Sequence, residues 1–272
     1  MALFTNFGIG VSTYGDAHRL IKKHRLWGYV LLPGVINIIL FIFVFIAGWH
    51  YSDVITHWLF DILGLDKEPT GFLKYLFIAL HFVLGLIFKV LFILFYLAIY
   101  RYIVLIILSP ALALLSERAE QAMFGTKYPF DFKQLLKDIL RGALIALRNV
   151  FVEFFFMIIF FFVSYIPIIG FISPICLFLV SCYFYGFSMI DYSNERHRLR
   201  IGESVLFVRK SKGLAIANGM IFYLILLIPF VGLLFAPSYA VVAATIATEK
   251  IRQKDQLIII QPDKAITENG NN

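Results

Sequence analysis

The chain has 272 residues, of which 61% are hydrophobic and only 15% are charged, and its formal net charge is +7. A soluble domain carries about 25% charged residues, so this composition excludes a water-soluble protein and predicts an integral membrane protein. The sequence contains no phosphate-binding loop, nucleophile elbow or metal-ligand motif, and its six histidines are scattered. We therefore expect no enzyme activity, cofactor or metal site.

Two full transmembrane helices are predicted, at about residues 29–50 and 75–100. Tyr29–Trp49 is apolar for 21 residues, which is enough for one helix across a hydrocarbon core of about 30 Å. The first 28 residues lack the apolar core and cleavage site of a removable signal peptide, so the first span is expected to act as its own insertion signal.

The distribution of charges predicts the orientation. Residues 1–28, 101–149 and 191–213 each carry a net charge of +3, whereas the loop 51–71 carries −3. Lysine and arginine accumulate on the cytoplasmic side of membrane proteins. We therefore expect both termini inside the cell and only the loop 51–71 outside.

Two apolar runs, 150–190 and 214–248, are each interrupted by an Ile-Pro-x-x-Gly sequence. Because both runs must leave and return to the cytoplasmic side, each is predicted to form a helical hairpin. The limbs of 12 to 17 residues are shorter than the 20 or so that a span needs. Hairpins that enter the bilayer partway are therefore preferred, and six kinked transmembrane helices with short outer turns remain the alternative.

An amphipathic cytoplasmic helix is predicted at 131–149. Its cationic stripe consists of Lys133, Lys137, Arg141 and Arg148. The stripe could face lipid phosphates at the membrane surface, or it could line a vestibule that collects anions; Arg141 and Arg148 are candidate path residues in the second case. Residues 1–250 are treated as a single membrane domain, and the polar tail 251–272 is expected to be disordered.

Lys89 lies near the middle of the second predicted span, where a cation is costly unless it faces a polar path or a partner. It is a candidate for an anion path, and the alternative is an intramembrane pair with Glu153. Ser173, Pro174 and Pro237 are predicted to begin helices inside the membrane, with Ser173 as the N-cap. The free N–H groups of such helix starts could bind an anion, although the prolines could equally serve only to make compact turns.

Several blocks together resemble the CysZ sulfate permease family, which is related to the etoposide-induced-protein membrane family. They are YVLLPGVINIIL (29–40), YIPIIGFISP (165–174), MIDYSNERHR (189–198) and the second Ile-Pro-x-x-Gly block. The resemblance implies a bacterial inner-membrane protein that admits sulfate for cysteine synthesis. It also implies two full spans, two partly penetrating hairpins and a homo-oligomer.

The resemblance further implies an anion site just ahead of the first span. The family's arginines are replaced here by Trp27 and Gly28 at the nearest positions, and Lys22, Lys23 and Arg25 stand slightly upstream as candidate substitutes. The sequence thus favours a sulfate permease or channel that contacts the lipid bilayer and no nucleic acid. The alternative is a membrane-shaping scaffold that carries no solute.

Overall fold

The computed structural model describes residues 2–62, 73–125, 132–166 and 169–260, and these ranges contain helices and no strand. Their α-helices are α1 (Ala2–Lys23), α2 (Trp27–Ile62), α3 (Leu73–Phe124), α4 (Phe132–Val163), α5 (Ser173–Arg196), α6 (Ile201–Lys210), α7 (Lys212–Leu226) and α8 (Val231–Ile260). A short 3-10 helix, Ile169–Ile172, leads into α5. The predicted all-α fold is therefore confirmed.

The chain divides into two compact units. One consists of Met1–Val35 with Leu108–Asn272, and the other of Ile36–Ile107. In the second unit, large apolar side chains such as Phe43 and Phe82 are 68% and 70% exposed. Surfaces of this kind suit a lipid environment. The predicted spans at about 29–50 and 75–100 lie inside α2 and α3, and that they cross the bilayer stays a prediction.

Three described helical segments are long and apolar enough to cross a membrane: Leu140–Val163, Gly170–Arg196 and Val231–Lys254. The number rises to four if α1 and the beginning of α2, which meet at a bend of 113°, form one broken span. On α4, large side chains such as Phe151 and Phe162 are 65% and 66% exposed. Apolar helices with outward-facing aromatic side chains require an apolar solvent, so the chain is an integral membrane protein.

The amino-terminal segment is a helix, which the sequence reasoning did not predict. One face of α1 is buried through Tyr14, Ala17 and Ile21, spaced three and four residues apart, and packs against α7 and α8. Gly10 and Gly213 permit this approach, since a Cβ at Gly10 would meet that of Ala217 and one at Gly213 would meet the Leu3 carbonyl oxygen. The packing of α1 against α7 thus depends on small residues that let the two backbones approach, and not on a long stripe of large apolar side chains.

The pair α5–α7 is held at very short range by two glycines. A Cβ at Gly186 would collide with the backbone carbonyl of Ala215, and one at Gly219 with the carbonyl of Cys182. The residue numbers rise on one helix as they fall on the other, so the two helices run antiparallel. Close backbone approach at small residues is the usual way in which membrane helices gain packing energy.

Both proline-containing breaks fall between helices, but the limbs are longer than expected. The predicted amphipathic segment 131–149 is not separate from the first hairpin, because α4 runs from Phe132 to Val163 without a break. No proline lies within it, so the helix simply continues. At 24 residues, the apolar segments of α4 and α8 each extend about 36 Å. Limb length therefore favours partial penetration only for α7, which has 15 residues, and the depth of the hairpins stays a prediction.

The prediction that Pro237 begins a helix is wrong. Pro237 lies inside α8, which begins at Val231. Helical bonding starts directly after the turn 227–230, since Gly232 N–H donates to the Ile228 carbonyl at 2.8 Å and Leu234 N–H to that of Phe230 at 3.0 Å. An internal proline costs about 3 kcal/mol. Dense packing offsets that cost, since small residues around it are fully buried within the chain (Ala236, Ala240, Ala243 and Ala244).

Candidate functional site

The first candidate site is the α1–α2 corner, residues 22–29, where the helix axis turns by 113°. α1 ends with Lys22 and Lys23, and Arg25 lies in the connection with a φ of 55°. A left-handed φ is uncommon for a residue with a Cβ, so the reversal here is sharp. All three side chains are exposed. The corner thus gathers three predicted anion-contact residues at one exposed edge of the fold.

The amino end of α2 adds hydrogen-bond donors to this corner. The N–H groups of Tyr29 and Val30 both donate to the Leu26 carbonyl, at 3.0 and 3.1 Å, and are the first of the α2 series. The N–H groups of Trp27 and Gly28 precede them, where a helix provides no acceptor. Unpaired N–H groups and the positive end of the helix dipole both favour an anion.

Aromatic contacts with α8 fix the position of the corner. A ring nitrogen of His18 and the hydroxyl of Tyr239 share a hydrogen bond of 2.8 Å, and the two rings stack. Trp27 packs edge-on against His18 and against Phe235. These contacts make the corner a packed structure, so the fold holds the backbone that carries its cations in place.

Arg118 of α3 is a further cation at the corner that the sequence reasoning missed. Its guanidinium lies over the Tyr29 ring, 5.4 Å from the centroid, and donates to the Gln121 side chain at 2.8 Å. Its Nε is buried and has no hydrogen-bond partner within the described part of the chain. An arginine so placed adds positive charge beside the first turn of α2.

The second candidate site is a buried network of charged side chains from α3, α4, α5 and α8, which we call the acid–arginine cluster. Its members are Glu120, Arg141, Asp191, Glu195, Arg196, His197, Glu249 and Arg252. Its residues lie in ranges that the charge pattern assigns to the cytoplasmic side.

The Arg141–Asp191 pair ties α4 to α5 within this cluster. Arg141 donates from both terminal nitrogens to the two Asp191 oxygens, at 2.9 and 3.1 Å, and the hydroxyl of Ser204 also donates to Asp191. Arg141 lies 3.5 Å from Glu195, and its side chain is 16% exposed. The predicted stripe therefore points Arg141 into the protein, where its guanidinium already has carboxylate partners.

The other half of the cluster joins α8 to the carboxyl-terminal parts of α3 and α5. Arg196 Nε donates to Glu120 at 2.7 Å, while both of its terminal nitrogens are buried without a partner among the described residues. His197 Nε2 lies 2.8 Å from Glu249, and Arg252 Nη1 lies 3.7 Å from the same oxygen. Unpaired buried donors are costly, so a water or an anion is the expected partner of Arg196.

The remaining predicted path residues lie apart from these sites. Arg148 donates to the neighbouring Asn149 side chain at 3.1 Å and lies over the Phe187 ring. Glu153 is buried and accepts a 2.6 Å hydrogen bond from Ser181. The side chains of Lys133 and Lys89 lie outside the described residues, so the Lys89–Glu153 pair stays a prediction.

The start of α5 differs from the prediction. Ser173 is the first helical residue and Ile172 occupies the N-cap, so Ser173 does not cap the helix. Pro174 follows within the first turn. The 3-10 helix runs directly into α5, and the Ser173 hydroxyl is buried without a partner among the described residues. The start of α5 is therefore joined directly to helical backbone.

Sequence reasoning missed most of the acid–arginine cluster. Its members come from four helices, and no short motif joins Glu120 to Glu249. The available signal was the accumulation of charged residues where apolar runs end, as in the MIDYSNERHR block. That signal predicts on which side of the membrane these charged residues lie, but it does not predict which side chains form ion pairs with each other.

Comparisons with known proteins identify the family of this chain. The family model for "Sulfate transporter CysZ/Etoposide-induced protein 2.4" matches residues 14–237. The chain is 28% identical to the sulfate transporter CysZ of Pseudomonas fluorescens, over 88% of this chain and 92% of that protein. It is 28% identical to the one of Pseudomonas syringae pathovar tomato, over 89% and 92%, and 26% identical to the one of Pseudomonas paraeruginosa, over 87% and 93%. The chain therefore belongs to the family of the sulfate transporter CysZ and etoposide-induced protein 2.4.

Proposed function

We propose that this protein admits sulfate across the bacterial inner membrane for sulfur assimilation. Membership in the family and relatives named as sulfate transporters support transport of an anion by a multi-pass membrane protein. The sequence has no nucleotide-binding loop. Transport therefore runs down a gradient, couples to an ion or uses the energy of another subunit.

The observation that carries the proposal is the α1–α2 corner. Three exposed cations, Lys22, Lys23 and Arg25, lie beside the first turn of a 36-residue helix. A tetrahedral dianion needs several donors around it and a positive potential. The N–H groups at the helix start supply hydrogen-bond donors, and the lysine and arginine side chains supply both donors and positive potential. Charge-assisted hydrogen bonds contribute about 1.5–3 kcal/mol each, so a few suffice for capture.

Arg118 and the aromatic side chains support the same site from within the protein. Arg118 approaches the corner from α3, so the anion would meet cations from two directions. The contacts of Trp27 and His18 with α8 hold the corner in one arrangement. Preorganised donors bind more tightly because less conformational entropy is lost on binding.

The rest of the path is proposed from the sequence. Lys89 is a further path residue, because a cation near the middle of a span is costly unless it faces a polar passage. Both termini lie in the cytoplasm according to the loop charges. A homo-oligomer is proposed because the resemblance implies one.

The direct test is sulfate uptake by purified protein in liposomes. Vesicles containing the wild-type protein should accumulate labelled sulfate faster than empty vesicles, and excess unlabelled sulfate should compete. Chloride at equal ionic strength serves as the control for general screening. Uptake no faster than in empty vesicles, together with no measurable sulfate binding, would refute the proposal.

The site itself is tested by removing its cations. Arg25→Ala should weaken sulfate binding by roughly 10-fold or more, which corresponds to loss of one charge-assisted contact of about 1.5 kcal/mol. Lys210→Ala, an equally exposed cation at the end of α6, makes the same change in net charge elsewhere and should leave uptake unchanged. Equal effects of the two variants would show that only overall charge matters.

A non-transporting scaffold remains the competing function, because the apolar faces of the helices would also suit a protein that shapes the bilayer. Such a protein should tolerate Lys89→Gln and Arg25→Ala without any loss of cellular function. A transporter should lose growth on sulfate as the sole sulfur source and recover when cysteine is supplied.

A further inference from the structure

We propose that Glu120, His197 and Glu249 form a binding site for one divalent transition-metal ion, with Zn²⁺ as the best match. The three residues come from α3, the end of α5 and α8. The proposal does not depend on sulfate transport. It gives this chain a metal-dependent connection between three helices that the sequence, with its scattered histidines, did not reveal.

The geometry of the three ligand atoms fits a metal ion. One carboxylate oxygen from each glutamate and one nitrogen of His197 all lie within 4.8 Å of one another. His197 Nε2 is 2.8 Å from Glu249 Oε1 and 3.9 Å from Glu120 Oε1. Ligands bound to zinc at about 2.0–2.2 Å stand about 3.4 Å apart in a tetrahedron, so side-chain rotations of about an ångström complete the site.

The choice of ligands favours zinc over magnesium or calcium. An imidazole nitrogen suits zinc and other transition metals, whereas magnesium and calcium are bound by oxygen alone. The side chains of Glu120 and Glu249 are 3% and 11% exposed, while that of His197 is 34% exposed. The exposed side of His197 gives an ion a route from solvent and leaves room for water as a fourth ligand.

The carboxylates of the acid–arginine cluster also favour a bound cation. Four carboxylates, Glu120, Asp191, Glu195 and Glu249, lie in this cluster with three guanidinium groups, Arg141, Arg196 and Arg252. Opposite charges attract more strongly inside a protein than in water, so a cation at the three ligands is attracted by the carboxylates around it.

Each of the two ligand carboxylates also contacts a neighbouring arginine. Arg196 occupies Oε2 of Glu120, which leaves Oε1 facing His197. Metal-binding carboxylates are commonly hydrogen-bonded in this way through the second oxygen. Arg252 stands 3.7 Å from Glu249, a contact loose enough to yield to a metal, and the hydroxyl of Ser193 lies 3.3 Å from the same carboxylate oxygen.

The backbone places His197 at the site. α5 ends at Arg196, and Arg198 adopts a left-handed φ of 56°. The N–H groups of Arg198 and Leu199 donate to the carbonyls of Glu195 and Asn194, at 2.8 and 3.1 Å, which is the bonding of a Schellman motif. His197 is therefore fixed between the last helical residue and a tight reversal, pointing toward α3 and α8.

Zinc titration of the full-length protein in detergent tests the site. The affinity tag is removed, bound metal is stripped with a chelator, and ZnCl₂ is titrated calorimetrically. We expect one ion per chain. His197→Ala and Glu249→Gln should each weaken zinc binding by at least roughly 10–100-fold. That is the loss expected when a residue that only supports a metal ligand is removed, and both of these residues would contact the metal directly. His50→Ala, which removes an exposed histidine on α2, should bind zinc as the wild-type protein does.

A cobalt spectrum gives a second readout that needs no variant. Co²⁺ at three protein ligands and one water should show the intense visible absorption of tetrahedral cobalt, and Zn²⁺ should displace it. His197→Cys supplies a thiolate ligand and should restore zinc binding that His197→Ala loses. Absence of zinc binding by the wild-type protein, a cobalt spectrum like that of the hydrated ion, or binding unaffected by His197→Ala and Glu249→Gln would each overturn the proposal.

Discussion

Replacing Asp191 by asparagine tests whether the Arg141–Asp191 pair organises the α4–α5 connection. Asp191 is 4% exposed and receives two hydrogen bonds from Arg141 and one from Ser204. Asp191→Asn keeps the shape of the side chain but removes its charge. The Arg141 guanidinium, 16% exposed, then loses its bidentate partner inside the protein.

The size of the effect follows from that burial. Removing one member of a buried ion pair costs about 3–5 kcal/mol, because the other charge stays buried and unpaired. Glu195, 3.5 Å from Arg141, supplies part of the lost compensation, so we expect the lower end of the range, about 3 kcal/mol. For a protein of this size, that corresponds to a fall in melting temperature of roughly 6–12 °C.

The loss of stability is measured in a double-mutant cycle, in which circular dichroism monitors the thermal unfolding of every variant in the same detergent. Arg141→Gln alone should also destabilise the fold, whereas the double variant should lose less than the sum of the two, by about 1 kcal/mol or more. Asp61→Asn, at an exposed position of α2, is the matched control and should leave the melting temperature unchanged. Additive effects, or a shift for Asp191→Asn no larger than that of the control, would refute the reasoning.

Two further variants test the backbone. Gly186→Ala should destabilise the protein by about 1–3 kcal/mol, because the added Cβ collides with the Ala215 carbonyl, and Gly202→Ala, with open space around it, should show no collision cost in the same thermal assay. Comparable losses for the two glycines would contradict the close α5–α7 approach. Arg198→Gly should stabilise the protein by up to about 1 kcal/mol, since glycine adopts a left-handed φ without a steric penalty. A lower melting temperature for Arg198→Gly would show that the arginine side chain itself contributes to the fold.

The general class of the protein could be predicted from the sequence because it depends on sums over many residues. Few charges and long apolar runs require a lipid solvent whatever their detailed arrangement. The breaks near Pro167 and Pro229 were also predictable, because a proline removes a backbone donor at its own position. Lys22, Lys23 and Arg25 were named because the family resemblance implies an anion site just ahead of the first span.

Short sequence signals predicted the helix boundaries less well where tertiary packing decides the conformation. Pro237 looked like a helix start, yet buried alanines on both sides keep α8 continuous through it. The sequence reasoning predicted no helix in the first 23 residues, because the buried face of α1 is short and its close packing depends on Gly10 and on Gly213 of α7.

The sequence by itself therefore determined the lipid environment and the helical class, since both depend on composition and on the length of the apolar runs. Only the tertiary structure decided that Arg141 faces Asp191 and that Glu120, His197 and Glu249 meet. The physical reason is that ion pairing and metal ligation act over a few ångströms in space. Side chains more than a hundred residues apart in the chain meet only after the helices have packed.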